Sequence, residues 1–157
     1  MEDKLTNKHK PSKGMVDISA KGETKRVARA QANISMNPEA FEALTSNRSP
    51  KGDVFETAKI AGIMAAKNAP SIIPMCHPLS LTSVTLNIET NEKRHTVTVI
   101  SEIGCLGRTG VEMEALTAVT AAALTIYDMM KWCDRGMMIS EIKLLHKSGG
   151  KSGEYNA

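Results

Sequence analysis

Residues 109 to 131 read T-G-V-E-M-E-A-L-T-A-V-T-A-A-A-L-T-I-Y-D-M-M-K. The run has no proline, its glycine sits in the first turn, and Ala and Leu recur through it, so one long helix is expected. Thr109 followed three residues later by Glu112 matches a capping box, in which side chain and backbone satisfy each other's unpaired donors. Glu112 and Glu114 also lie where the helix dipole favours negative charge. At the other end Asp128 and Lys131 are three apart, which puts them on one face at ion-pair spacing. The middle, Ala115 to Leu124, carries no charge and has to pack against other elements. At 3.6 residues per turn Asp128 returns nearly to the face of Glu114, but about 21 Å further along the axis. One small pocket on a straight helix cannot hold both. Functional charge at both ends would need a long cleft or sites shared between subunits.

The segments on either side are strands. Residues 82 to 90 and 95 to 102 alternate in the pattern V-T-L-N-I-E and T-V-T-V-I-S-E, joined by Asn91-Glu92-Lys93, which predicts an antiparallel hairpin. After the helix, Gly136 ends a turn and residues 137 to 145 give a last strand. Residues 27 to 36 alternate as a half-buried first strand. Asn37-Pro38 then supplies a cap and a first-turn proline for a short helix through Leu44. A polar loop, 45 to 52, ends at Lys51-Gly52. Asp53 with Glu56 caps a further amphipathic helix to about Lys67, stopped by Pro70. With two prolines, I-I-P-M-C-H-P-L (72 to 79) predicts an extended loop of fixed shape. The resulting order is the ferredoxin-like arrangement, an α+β fold with a four-stranded antiparallel sheet and helices on one face.

With 157 residues the expectation is a single domain from 15 to 157, preceded by a polar, Lys-rich disordered tail at 1 to 14. The domain should end in a flexible basic loop, 147 to 157. Aromatics make up only 3% and Met numbers ten, so the core should be aliphatic and Met-rich. A formal charge of +3 permits an anionic ligand without requiring nucleic acid. An RNA-binding module of the same element order would stack bases on aromatics of its central strands, and residues 95 to 102 have none. Three widely spaced cysteines, 76, 105 and 133, suit a reducing cytoplasm. No apolar run reaches the ~18 residues of a membrane span.

Candidate chemistry is spread along the chain. Gly150-Lys151-Ser152 looks like the end of a phosphate loop, but the first glycine of that motif would fall at Leu145 and no helix follows. A basic loop presenting Lys147 and Lys151 to phosphates fits better. Cys76 and His77 are adjacent in an extended segment and point to opposite sides, so His77 is poorly placed to activate Cys76. No Cys-x-x-Cys or His-x-x-x-His spacing announces a metal site. Cations at 51, 131, 147 and 151, with carboxylates at 112, 114 and 128, suit a polyanion carrying a hydrogen-bonding heterocycle. A structural network would show the same residues.

Six segments together resemble the cyclic pyranopterin monophosphate synthase family: M-V-D-I-S-A-K-G-E-T (15 to 24), K-G-D-V-F-E-T-A-K-I-A-G (51 to 62), I-P-M-C-H-P-L (73 to 79), G-V-E-M-E-A-L-T-A (110 to 118), I-Y-D-M-M-K (126 to 131) and K-S-G-G-K-S-G (147 to 153). The resemblance covers nearly the whole chain after the tail. It implies a lyase of molybdenum cofactor biosynthesis that converts a cyclised dihydro-GTP to cyclic pyranopterin monophosphate and releases pyrophosphate. By the same resemblance Asp128, Lys131 and Lys51 form the acid-base centre. Met75, Cys76, His77, Met113 and Glu114 hold the substrate, with Glu112, Lys147, Lys151 and Arg26 as further contacts. It implies a homohexamer, a trimer of dimers with sites at subunit boundaries, and no membrane partner. No cofactor is required, although Mg²⁺ can accompany the triphosphate. Two positions depart from the family pattern: Met75 replaces a frequent Leu, and Arg108 stands where Lys is expected. A regulatory domain that binds the nucleotide without turnover remains an alternative.

Overall fold

The computed structural model describes residues 14 to 157. The tail expected at 1 to 14 lies, but for Gly14, outside the described residues. Among them the elements run β1 (Thr24–Ser35), α1 (Pro38–Thr45), α2 (Val54–Ile72), β2 (Leu81–Asn91), a 3-10 turn (Glu92–Arg94), β3 (Thr96–Gly107), α3 (Glu112–Met130), β4 (Met138–Ser148) and β5 (Tyr155–Asn156). The strands form one antiparallel sheet in the order β2-β3-β1-β4-β5. The first four strands have the expected ferredoxin-like order, and β5 adds a fifth at the edge beside β4.

The core lies between the sheet and α3. Ala28, Ala30, Ala32 and Ile34 of β1 alternate on its buried face, and Ala115, Ala118, Val119, Ala122 and Ile126 of α3 meet that layer, all fully buried. Small side chains on both surfaces let the helix sit close to the sheet, while Ile34, Ile103 and Ile126 fill the volume; burying such a side chain stabilises by ~1.5–3 kcal/mol. Buried Ser101 of β3 donates to the Ala115 carbonyl at 2.9 Å, which ties strand to helix without leaving a hydroxyl unpaired. On the outer face Gln31 and Asn33 donate to Glu141 at 3.2 Å each, and Arg29 pairs with Glu102 at 3.6 Å. That polar face agrees with the alternation in the strands.

α2 packs along α3 through Gly62. A Cβ there would collide with a methyl of Leu86 and come within 3.0 Å of the Ala118 carbonyl oxygen, a backbone atom that cannot swing aside. Gly62→Val should therefore lower stability by about 1–3 kcal/mol through overpacking. The measurement is the urea midpoint of unfolding; an unchanged midpoint would mean the two helices are free to separate at this crossing.

Several boundaries differ from the sequence expectation. α2 does not stop near Lys67 but runs through Pro70 to Ile72. Proline removes one backbone donor close to the helix end, and buried Ala66 and Ala69 hold this turn in place. β3 extends past residue 102 to Gly107, because Gly104 sits inside the strand opposite a register irregularity between Leu81 and Ser83. Its missing side chain accommodates the Ser83 hydroxyl, 2.6 Å from where a Cβ would be. The long helix begins at Glu112, with Val111 as a cap that makes no side-chain bond, so the expected Thr109 capping box does not form. Residues 108 to 110 are spent turning from sheet to helix, and Glu112 folds its carboxylate back over Gly110. β4 continues to Ser148, so the loop starts at Gly149 rather than Lys147. Gly149, Gly150 and Gly153 all have positive φ, which permits the reversal that brings β5 back onto β4.

Candidate active site

Three groups of the expected residues come together around α3, two at its N-terminal end and one at its C-terminal end. The C-terminal group centres on Asp128. Lys51 Nζ lies 2.6 Å from one carboxylate oxygen and Lys131 Nζ 2.7 Å from the other. Lys131 arrives by helical spacing; Lys51 is carried in by the loop before α2 and also donates to the Asp128 backbone carbonyl at 3.3 Å. The bonds from Lys131 and then Lys51 hold the Asp128 carboxyl down to about 2, from its ordinary value of 3.8. The carboxylate is thus ionised across the neutral range, while all three side chains remain about half exposed.

At the N-terminal end Glu114 is buried, 1% exposed. The Cys76 thiol donates to its Oε1 at 3.3 Å, and among the described residues its Oε2 has no hydrogen-bond partner. Burial raises the Glu114 pKa against the lowering effect of its hydrogen bonds, and it pushes the Cys76 thiol up to about 11 with help from the Glu114 charge. This thiol is a poor nucleophile at neutral pH. The His77 Nε2 lies 2.7 Å from the Val16 carbonyl, while the Cys76 thiol meets Glu114 and, at 3.8 Å, the His77 backbone carbonyl, so the imidazole is not the partner found for the thiol. Met75 and Met113 are exposed beside this group.

The third group lines a cavity of about 690 Å³. Arg26 of β1 donates to the Gly107 carbonyl at 3.3 Å and faces this space with Lys147, Lys151 and Glu112. Lys147 donates to the Ser152 hydroxyl, and Gly150 rests directly on the Arg26 guanidinium, where any Cβ would collide. Lys21 and Arg108 line the same cavity. They were not among the site residues inferred from sequence, although Lys21 belongs to the 15 to 24 segment and Arg108 stood out as a departure. Five cations then face one carboxylate, a cavity suited to several negative charges.

The first group does not meet the other two. Fourteen residues of α3 separate Glu114 from Asp128, about 21 Å of helix. Among the described residues no set of three His, Cys, Asp or Glu side chains is grouped to hold a metal, and no helix is long and apolar enough to cross a membrane.

Comparison with known proteins identifies the family. The MoaC family pattern matches residues 15–150. A cyclic pyranopterin monophosphate synthase of Roseiflexus sp. (strain RS-1) is 52% identical over 141 residues, covering 90% of this chain and 89% of the relative. One from Syntrophomonas wolfei is 53% identical over 139 residues, 88% of each chain. A third, from Thermomicrobium roseum, is 50% identical over 141 residues, 90% of this chain and 85% of its own. A pattern that spans nearly the whole described fold, with relatives at half identity over the same length, leads to one assignment: the chain belongs to the MoaC family.

Proposed function

We propose that the chain is a lyase of molybdenum cofactor biosynthesis that converts a cyclised dihydro-GTP to cyclic pyranopterin monophosphate and pyrophosphate. The observation that carries this reading is the Lys51–Asp128–Lys131 cluster, two ammonium groups held within 2.7 Å of one carboxylate. The conversion is redox-neutral. In its phosphoryl step a sugar hydroxyl oxygen bonds to the α-phosphorus, and the bond from that phosphorus to the pyrophosphate oxygen breaks with its electron pair on the leaving group. The hydroxyl proton passes to a base.

Asp128, with its carboxyl held so low, is a weak proton acceptor; its part is to keep the two lysines side by side at the reacting centre. The lysines then exchange protons with the substrate as its ring opens and recloses. Arg26, Lys147 and Lys151, with Lys21 and Arg108, neutralise the triphosphate and the charge that grows on departing pyrophosphate. Met75, His77, Met113 and the Cys76–Glu114 pair form the walls against the pterin-like ring. Glu112, the one carboxylate among the cavity cations, completes the set.

These two parts belong to different subunits in this reading, because no compact ring can touch both ends of α3 in one chain. The assembly is a homohexamer built as a trimer of dimers, each site completed across a boundary and working in the cytoplasm. A divalent ion would ride on the phosphates.

The decisive test supplies purified protein with the cyclised dihydro-GTP, with Mg²⁺ and with EDTA in separate arms, and measures pyrophosphate and cyclic product in equal amounts. Tight binding of the nucleotide with no pyrophosphate in either arm would make this a binding protein and remove the reaction.

A further inference from the structure

The last four carbonyls of an α-helix have no partner within it, and how they are satisfied decides what docks at that end. At the end of α3 the Tyr127 carbonyl takes the Lys131 N–H at 2.9 Å, and the Met130 carbonyl takes those of Cys133 and Asp134 at 2.9 and 3.2 Å. Two carbonyls lie between these, and side chains of the 46 to 53 loop reach both. Lys51 Nζ donates to the Asp128 carbonyl at 3.3 Å, and the Ser49 hydroxyl donates to the Met129 carbonyl at 3.0 Å. The same hydroxyl oxygen accepts the backbone N–H of Lys51 at 3.3 Å.

Ser49 thus joins the backbone of the residue that carries the ammonium to the helix turn that carries the carboxylate. The ion pair itself is a poor tether. Lys51 and Asp128 are each about half exposed, and water and lysine side-chain entropy leave such pairs with little net strength. The loop's other bonds in this region run to α1 or within itself, Arg48 N–H to the Ala43 carbonyl at 2.8 Å, Arg48 to Glu42 at 3.1 Å and Gly52 N–H to the Ser49 carbonyl at 3.2 Å, and none of these reaches α3.

We infer that Ser49 is a positioning residue for Lys51: its hydroxyl hangs the loop from the last turn of α3 and so fixes the ammonium against Asp128. As a role in catalysis this rests on the reaction proposed above; as a statement about the contact it does not. A side chain that both donates and accepts is required. Threonine keeps this ability, alanine lacks it, and cysteine keeps nearly the volume but bonds weakly.

The test titrates the Asp128 carboxyl by carbon NMR in wild type, Ser49→Ala, Ser49→Cys and Ser49→Thr, each first shown folded by circular dichroism. Lys51 is one of the groups facing that carboxylate, and Lys131 is the other. Loosening Lys51 should move the midpoint upward in the Ala and Cys variants, and Thr should restore it. Steady-state turnover should fall roughly three- to tenfold in Ser49→Ala, the worth of a lost hydrogen bond, with little change in KM. On a Lys51→Ala background the same substitution should cost nothing more, because Ser49 acts through Lys51. An unmoved midpoint in folded Ser49→Ala and Ser49→Cys overturns the inference, as does an equal loss of turnover on the Lys51→Ala background. A shifted midpoint in a protein that never releases pyrophosphate would leave the positioning intact and remove the reaction instead.

Discussion

Asp128→Asn should lower kcat by about 10²-fold, because the two lysines that exchange protons with the substrate lose the carboxylate that positions them, while leaving the thermal midpoint nearly unchanged. Both halves follow from the same geometry. The carboxylate accepts one bond from each of two ammonium groups, and an amide of the same shape cannot balance their charge. The lysines are left as like charges with no anion between them, free to swing into solvent. Stability is spared because all three groups are about half exposed, where ion pairs contribute little. The pH dependence has a definite sign. With its folded value depressed, Asp128 favours the folded state above its ordinary 3.8, and that contribution is lost as pH falls through about 2. No titration of Asp128 can therefore shape the rate profile near neutrality. A folded variant with rates close to wild type would remove Asp128 from the reaction centre.

Mixed assembly gives the second large effect. Asp128→Asn and Lys147→Ala chains should each be strongly impaired alone. Coexpressed under two affinity tags and purified through both, they should recover about a quarter of wild-type turnover, since random pairing across a boundary leaves that fraction of sites whole. The reason is the length of α3: Asp128 is at one end, and the cavity holding Lys147 is at the other. Were one chain to supply both groups to the same site, every site in the mixture would carry a lesion and turnover would stay at the level of the parents. Steady-state pyrophosphate release separates the two outcomes.

What the sequence made legible were features with local causes. Asn37-Pro38 placed the start of α1, where the Asn37 side chain accepts the Ala40 N–H at 2.8 Å. The uncharged Ala-rich run placed the buried middle of α3, and helical spacing alone paired Asp128 with Lys131. What stayed hidden depended on neighbours distant in the chain. Lys51 and Asp128 are 77 residues apart, Cys76 and Glu114 38, and no periodicity links either pair; charge type alone set Lys51 and Asp128 in one broad list, and the family resemblance gave them a shared centre. The strand predicted to residue 102 runs on through Gly104, whose use, room for a hydroxyl of the adjacent strand, belongs to another segment. Thr109 followed the capping rule in spacing, yet the chain needed those residues to leave the sheet.

The position of β1 has a further consequence. It lies between β3 and β4, paired with β3 from Thr24 to Ser35 and with β4 from Val27 to Ser35, so local opening over that second stretch must break two ladders together. Arg26 and the floor of the cavity ride on this strand. The loop bearing Lys51 is held to α3 by a few side-chain bonds within reach of water, and it can detach at far smaller cost. The polyanion thus meets Arg26 and Lys147 on sheet strands, and the motion needed to admit a substrate and discharge two products falls to the loops that carry Lys51 and Lys151.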